Sequence, residues 1–204
     1  MENENLEKYK ITSIKQLSET LFQITFNTVT NFYLRTVYLE NPNIILDVDV
    51  ELSENDFEDC VNAGLCFSAE KKAMEYLGKT EHSRFLLKNK LIKKEHSGFA
   101  VEKALDYLEE KRYLDDSRYA MAFIRNRSIT HYEGRIRLMQ ELLQRGVDKK
   151  IATVQIDEFF EEHSEIEICE KALEKLRRIG KKEEKLYSAL ERLGFSNRII
   201  REIV

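Results

Sequence analysis

Arg135-Ile136-Arg137-Leu138-Met139-Gln140-Glu141-Leu142, closed by Gly146-Val147-Asp148, has two altered copies elsewhere in the chain. Arg84 to Leu91 lies over it at an offset of 51 residues, and Glu183 to Leu190 at an offset of 48. In that register Leu87, Leu138 and Leu186 coincide, as do Leu91, Leu142 and Leu190. Gly194-Phe195-Ser196 repeats the logic of Gly146-Val147-Asp148: a glycine ends one helix, an apolar residue plugs the corner, and a polar side chain caps the next helix. A helix upstream of each centre, Ala69 to Leu77, Ser117 to Asn126 and Glu165 to Leu176, completes a three-helix unit. The pattern predicts nine helices in three tandem repeats. One such unit buries too little apolar surface to offset its ordering entropy, so neighbours must stack, and an elongated curved module is expected.

Upstream of the repeats the period changes. Ile11-Thr12-Ser13-Ile14, Leu21 to Phe26 and Phe32 to Tyr38 alternate and are rich in β-branched and aromatic residues, with turns expected at 18–20, Asn27–Asn31 and Asn41-Pro42-Asn43. They predict a small antiparallel sheet that must bury one face against a neighbour. Ser53-Glu54-Asn55-Asp56 has the form of a helix start, and Gly64 is a candidate stop for that helix. The expected organisation is a β-rich region over 1–52, a connecting helix and linker over 53–68, and repeats over 69–114, 115–163 and 164–204.

The 204 residues are 42% apolar and 34% charged, with one proline, so a packed core is attainable and collagen-like, mucin-like and low-complexity classes are excluded. The net charge of −4 hides an asymmetry: residues 1–68 carry 4 basic and 12 acidic side chains, and the remainder 29 and 25. Met1 to Lys10 has no apolar run, and no later segment is long and apolar enough to cross a bilayer. Cys60, Cys66 and Cys169 lack close pairing. Together these predict a cytoplasmic protein with reduced, structural thiols and no membrane contact.

No catalytic or metal constellation emerges. His82, His96, His131 and His163 are isolated, and P-loop, dinucleotide-binding and nucleophile-elbow motifs are absent. Asp115 or Asp116 is better placed to cap a helix than to act as an acid. Neither enzyme activity nor a cofactor is expected. The basic residues are more informative, because 117–150 holds eight of them (Arg118, Arg125, Arg127, Arg135, Arg137, Arg145, Lys149, Lys150) against Glu133, Glu141 and Asp148. Such an excess attracts phosphates or an acidic groove. On a helical wheel Tyr119, Ala120, Phe123 and Ile124 form the apolar stripe and Arg118 and Arg125 share the opposite side. Arg127 falls beneath the stripe, which requires that the helix has ended or that its guanidinium has a buried partner. Tyr132 is the surface aromatic candidate. Residues 157–204, with 10 basic and 12 acidic groups, read as a solvated, salt-laced surface.

Leu114-Asp115-Asp116-Ser117-Arg118-Tyr119-Ala120, the Gly134 to Val147 stretch and the late Gly194-Phe195-Ser196 resemble, in order and spacing, the motifs of the RecX family of RecA regulators. The resemblance covers about 69–204. Two places depart: Arg112-Tyr113 stands where the family has a glycine, and Glu95-His96-Ser97-Gly98 where a shorter glycine corner is usual. A monomer is expected, and the resemblance implies a non-enzymatic regulator of recombination and DNA repair. Such a regulator binds the RecA recombinase filament and, weakly, single-stranded or double-stranded DNA, and inhibits by occupancy. Arg118, Arg135, Arg137 and Arg145 match basic places in the motif, and Arg125, Lys149 and Lys150 join them as expected filament contacts. The alternative is a helix-turn-helix-like reader of duplex DNA, since helix–glycine–cap–helix corners occur there too. A nuclease is disfavoured by the lack of clustered carboxylates. The acidic first part reads equally as scaffold, second docking surface or intramolecular cover.

Overall fold

The computed structural model describes residues 9–28 and 31–204. The acidic opening at 1–8 and the centre of the expected Asn27–Asn31 turn lie outside the described residues. The rest forms two compact units, one of residues 9–78 with Lys88–Tyr113, the other of Lys79–Leu87 with Leu114–Val204.

In the first unit β1 (Tyr9–Gln16), β2 (Leu21–Phe26), β3 (Phe32–Arg35) and β4 (Glu51–Leu52) form an antiparallel sheet of order β3-β2-β1-β4. Alternation puts Ile11, Ile24, Phe26 and Leu34 on the buried face. β3 stops at Arg35, short of the expected Tyr38, because Thr36–Tyr38 turn into a 3-10 segment that carries the Tyr38 ring inward. There the Tyr38 hydroxyl donates to Glu70 at 2.9 Å. Arg35 grips the same carboxylate with two hydrogen bonds, of 2.9 and 2.7 Å, while the Phe67 and Tyr107 rings lie against its guanidinium. This cluster ties the sheet to the helix that follows it.

α1 (Glu54–Leu77) starts where expected, with Ser53 Oγ accepting from the Asp56 N–H. It does not stop at Gly64. A Cβ there would meet the Phe32 ring at 2.8 Å and the Tyr33 carbonyl at 3.3 Å, so this glycine allows β3 to lie close on an unbroken helix. Burial pushes the thiols of Cys60 and Cys169 up to about 12 and that of Cys66 up to about 11, and all three cysteines are free and buried, as packing residues should be.

Beyond α1 come α2 (Arg84–Ile92), α3 (Gly98–Glu110), α4 (Asp116–Asn126), α5 (Arg135–Gln144), α6 (Lys149–Glu162), α7 (Glu165–Arg178), α8 (Leu186–Arg192) and α9 (Asn197–Ile203), giving nine α-helices among the described residues. All six leucines aligned in the sequence are fully buried. The corners repeat in hydrogen-bond detail. Val147 N–H reaches the Leu142 carbonyl and Phe195 N–H that of Leu190, around Gly146 at φ +75° and Gly194 at φ +90°. In the first repeat His96 N–H reaches Leu91 in the same way, and the left-handed position is taken by Glu95 at φ +65°. That corner is therefore as short as the others, and Gly98 belongs to α3. Arg112, at φ +58°, is likewise in the left-handed region that favours glycine.

Glu95 is exposed, and a side chain in the left-handed region costs roughly 1–2 kcal/mol, while glycine adds some chain entropy to the unfolded state. Glu95→Gly is accordingly expected to stabilise the chain by about 1 kcal/mol in urea unfolding. A loss of stability would show that the Glu95 side chain does something that its exposure conceals.

Candidate functional site

Within the second unit the repeats dock by one rule. The Ser83 hydroxyl donates to the Arg145 carbonyl at 2.6 Å, and 51 residues on, the Gly134 N–H donates to the Leu193 carbonyl at 2.8 Å. Each contact sets the start of a middle helix on the next repeat's corner. A Cβ on Gly146 would lie 2.2 Å from the Phe85 Cβ, and one on Gly194 2.3 Å from the Arg137 nitrogen. This docking fixes where α5 presents its arginines.

Asp115 caps α4 by accepting from the N–H groups of Ser117 and Arg118, while Asp116 turns away to accept from the Arg84 N–H at 2.8 Å. Burial raises the carboxyl of Asp116 above its ordinary range. Arg118 and Arg125 are both exposed, as the wheel predicts. Arg118, however, is hydrogen-bonded to Glu81, which also raises its pKa. Arg125 makes no ion pair among the described residues.

Arg127 satisfies both conditions placed on it. α4 gives way to a wide π turn over Arg127–His131, and the guanidinium holds the buried Glu133 with two hydrogen bonds, that from Nε at 2.8 Å. Arg137 Nε lies 2.9 Å from Glu133 Oε1 without the alignment of a hydrogen bond, and its Nη1 donates to the Arg192 carbonyl. Glu141 sits between Arg127, Arg137 and Arg145, at 3.4, 3.4 and 2.8 Å. The structure thus gathers Arg137 and Arg145 into one network with Arg127. The Arg145 guanidinium also lies over the Phe123 ring at 4.5 Å.

Arg135 belongs to a different set. It pairs with Asp157 and Glu165 and covers the Phe160 ring at 4.6 Å. Burial raises the carboxyl of Glu165, opposed by its bonds from Arg135. Lys149 and Lys150, in the first turn of α6, are exposed and without an ion pair among the described residues. Of the seven expected contacts, then, Arg125, Lys149 and Lys150 hold uncompensated charge, and the other four are internally paired. Tyr132 is half-buried against the core, with Lys175 over its ring at 5.3 Å.

Segment-averaged charge concealed a further set. Lys171, Lys175 and Arg178 recur at helical spacing along α7 and make no ion pair among the described residues. Most of the acidic groups of 157–204 that cancel them in the count, such as Glu158 and Glu202, lie on other elements, while Glu165, Glu167, Glu170 and Glu174 share α7 with them. The i, i+4, i+7 spacing is the signal that would have found them. No cluster of His, Cys, Asp and Glu suited to a metal occurs among the described residues, and no described helix is long and apolar enough to cross a membrane.

A small antiparallel sheet followed by three-helix units docked through left-handed corners defines a mainly helical, repeat-built protein. A family model described as RecX, second three-helix domain, matches residues 115–153. Regulatory protein RecX of Treponema pallidum is 37% identical over 136 residues, which are 67% of this chain and 83% of that protein. Its counterpart in Chlorobium phaeobacteroides is 33% identical over 135 residues, 64% of this chain and 87% of that one. Among solved structures, one regulatory protein RecX superposes with a TM-score of 0.75 at 23% identity, covering 96% of this chain and 98% of its own. RecX from Lactobacillus salivarius gives 0.59 at 21%, covering 68% and 94%. These two share the fold. The chain belongs to the RecX family of regulatory proteins.

Proposed function

We propose that this chain regulates a recombinase by occupancy: it binds the RecA–DNA filament as a monomer in the cytoplasm and limits the filament's activity without altering a covalent bond. The observation that carries the reading is the kinship to proteins named regulatory protein RecX, which extends over two thirds of the chain. The second unit supports it, because Arg125, Lys149 and Lys150 leave positive charge open to solvent while Arg127 and Arg135 are held in ion pairs. The three-repeat division at 69–114, 115–163 and 164–204 is part of this proposal, and the match to a second three-helix domain over 115–153 supports its middle member.

The test is inhibition of RecA-driven ATP hydrolysis on single-stranded DNA. Arg125→Glu with Lys149→Glu and Lys150→Glu is expected to weaken inhibition at least tenfold while helical content stays constant, and unaltered inhibition would remove these three residues from the mechanism.

One observation favours a second reading, that of a duplex reader. The α5–Gly146–α6 corner has helix-turn-helix form, with Lys149 and Lys150 at the start of its second helix, where such domains place base contacts. A specific reader prefers its site to random duplex by roughly 4–10 kcal/mol. The occupancy reading expects no such preference and stronger binding once recombinase is present.

A further inference from the structure

Three clefts in the second unit share walls. The first, of about 330 Å³, has Arg127, His131 and Arg137 around the buried Glu133, and is closed by Lys175, Leu176 and Ile179. The second shares Lys175 and adds Tyr132, Lys171, Glu174 and Arg178. The third, of about 460 Å³, shares Leu176 with the first and adds Lys181, Lys185, Ser188 and Arg192. Glu133 and Glu174 are the acidic side chains among the residues lining them, and Glu133 is already held by two arginines.

We propose that this joined surface is a track for the phosphate backbone of single-stranded nucleic acid. Lys171, Arg178, Lys181, Lys185 and Arg192 are exposed, and neither they nor Lys175 make an ion pair among the described residues. With Glu133 already held, Glu174 is the one acid lining the clefts beside them, so six cations face a single free carboxylate and the surplus calls for charge from outside. Like charges crowded in adjoining clefts are unfavourable in isolation and become favourable against a polyanion that releases its counterions. Lys171, Lys175 and Arg178 lie on one stripe of α7 that runs for about 10 Å. At the 3.4 Å per nucleotide of a stacked strand, that stripe faces about three successive phosphates. At the second cleft the Tyr132 ring, with Lys175 above it, offers a π face for a base beside the backbone. An acidic polypeptide would use the charges but not this ordered line, and a folded protein partner would need apolar contacts that these walls supply chiefly at Ile179.

The inference deepens the reading above by assigning the nucleic-acid part of the filament to a particular surface. Its test omits recombinase, so that the two fail separately. A fluorescein-labelled thirty-nucleotide poly(dT) is titrated with the full chain, and anisotropy is followed from low to moderate NaCl. Lys171→Ala with Lys175→Ala and Arg178→Ala is expected to bind at least tenfold more weakly and to flatten the slope of log K against log salt by about 2, at about 0.7 for each phosphate that is no longer neutralised. Lys181→Ala with Lys185→Ala and Arg192→Ala changes another stretch of the track and is expected to show a similar loss. Arg177→Ala with Arg198→Ala and Arg201→Ala removes the same formal charge from places outside the clefts and is expected to shift affinity less than threefold. Retained affinity in both track variants overturns the proposal, as does equal weakening in all three sets. Displacement of the oligonucleotide by poly-glutamate as readily as by unlabelled poly(dT) overturns the assignment to nucleic acid.

Discussion

Gly194→Ala is expected to remove about 3 kcal/mol or more of stability, whereas Gly180→Ala removes about 1. Both glycines are left-handed, at φ +90° and +78°, so both alanines meet the same backbone penalty. They differ in their surroundings. Nothing lies within 4 Å of a Cβ on Gly180, while one on Gly194 would lie 2.3 Å from the Arg137 nitrogen and 2.4 Å from its Cβ. Those atoms belong to α5, so relief requires the α8–α9 corner to back away. That movement strains the Gly134-to-Leu193 and Ile136-to-Gly194 hydrogen bonds, of 2.8 and 3.1 Å, that dock the third repeat. Urea unfolding followed by circular dichroism measures the pair, and equal losses would mean that only backbone strain acts at Gly194. Gly146→Ala, facing Phe85, should resemble Gly194→Ala.

The contrast shows why so much of the fold was legible. Period, leucine register and corner chemistry are local or repeat at fixed offsets, and Leu87, Leu138 and Leu186 announce one another without coordinates. What the sequence hid depends on partners far apart in the chain. Gly64 reads as a helix stop until the Phe32 ring is found against it, 32 residues away. Glu95 and Arg112 look like departures because a left-handed backbone is inferred from glycine, yet the hydrogen bonds of the corner hold other residues there as well. The candidate site was hardest, since counting charges along a segment presumes that they face solvent together. Arg118 is matched by Glu81, 37 residues upstream, and Arg135 by Glu165, 30 downstream. Conversely Lys171, Lys175 and Arg178 vanished into a net-negative segment whose acids lie partly on other elements. Arg127 alone could be flagged, because its misfit to the apolar stripe is itself a local signal.

Glu133→Ala is the other substitution with a large expected effect. Its carboxylate, 3% exposed, takes both hydrogen bonds from Arg127 and the ion pair from Arg137, while Glu141 already serves three guanidinium groups. Removing one member of a fully buried pair costs about 3–5 kcal/mol. The two guanidinium groups here are 24% and 37% exposed, so water recovers part of that, and about 2–3 kcal/mol is expected. Glu133→Gln keeps the shape and one acceptor and should lose less. A double-mutant cycle of Glu133→Ala with Arg127→Ala should show a coupling of about 1 kcal/mol or more, and additivity within about 0.5 would dissolve the network as an energetic unit. Binding moves the other way. Glu133 is the acid in the first cleft of the proposed track, so its neutralisation leaves Arg127 and Arg137 with only their longer 3.4 Å pairs to Glu141 and raises the net positive charge there, and the Gln variant should hold poly(dT) more tightly even as it unfolds more easily. A site maintained only for stability would lose on both measurements. Opposite signs are what a buried anion produces when it restrains cations that also face a polyanion.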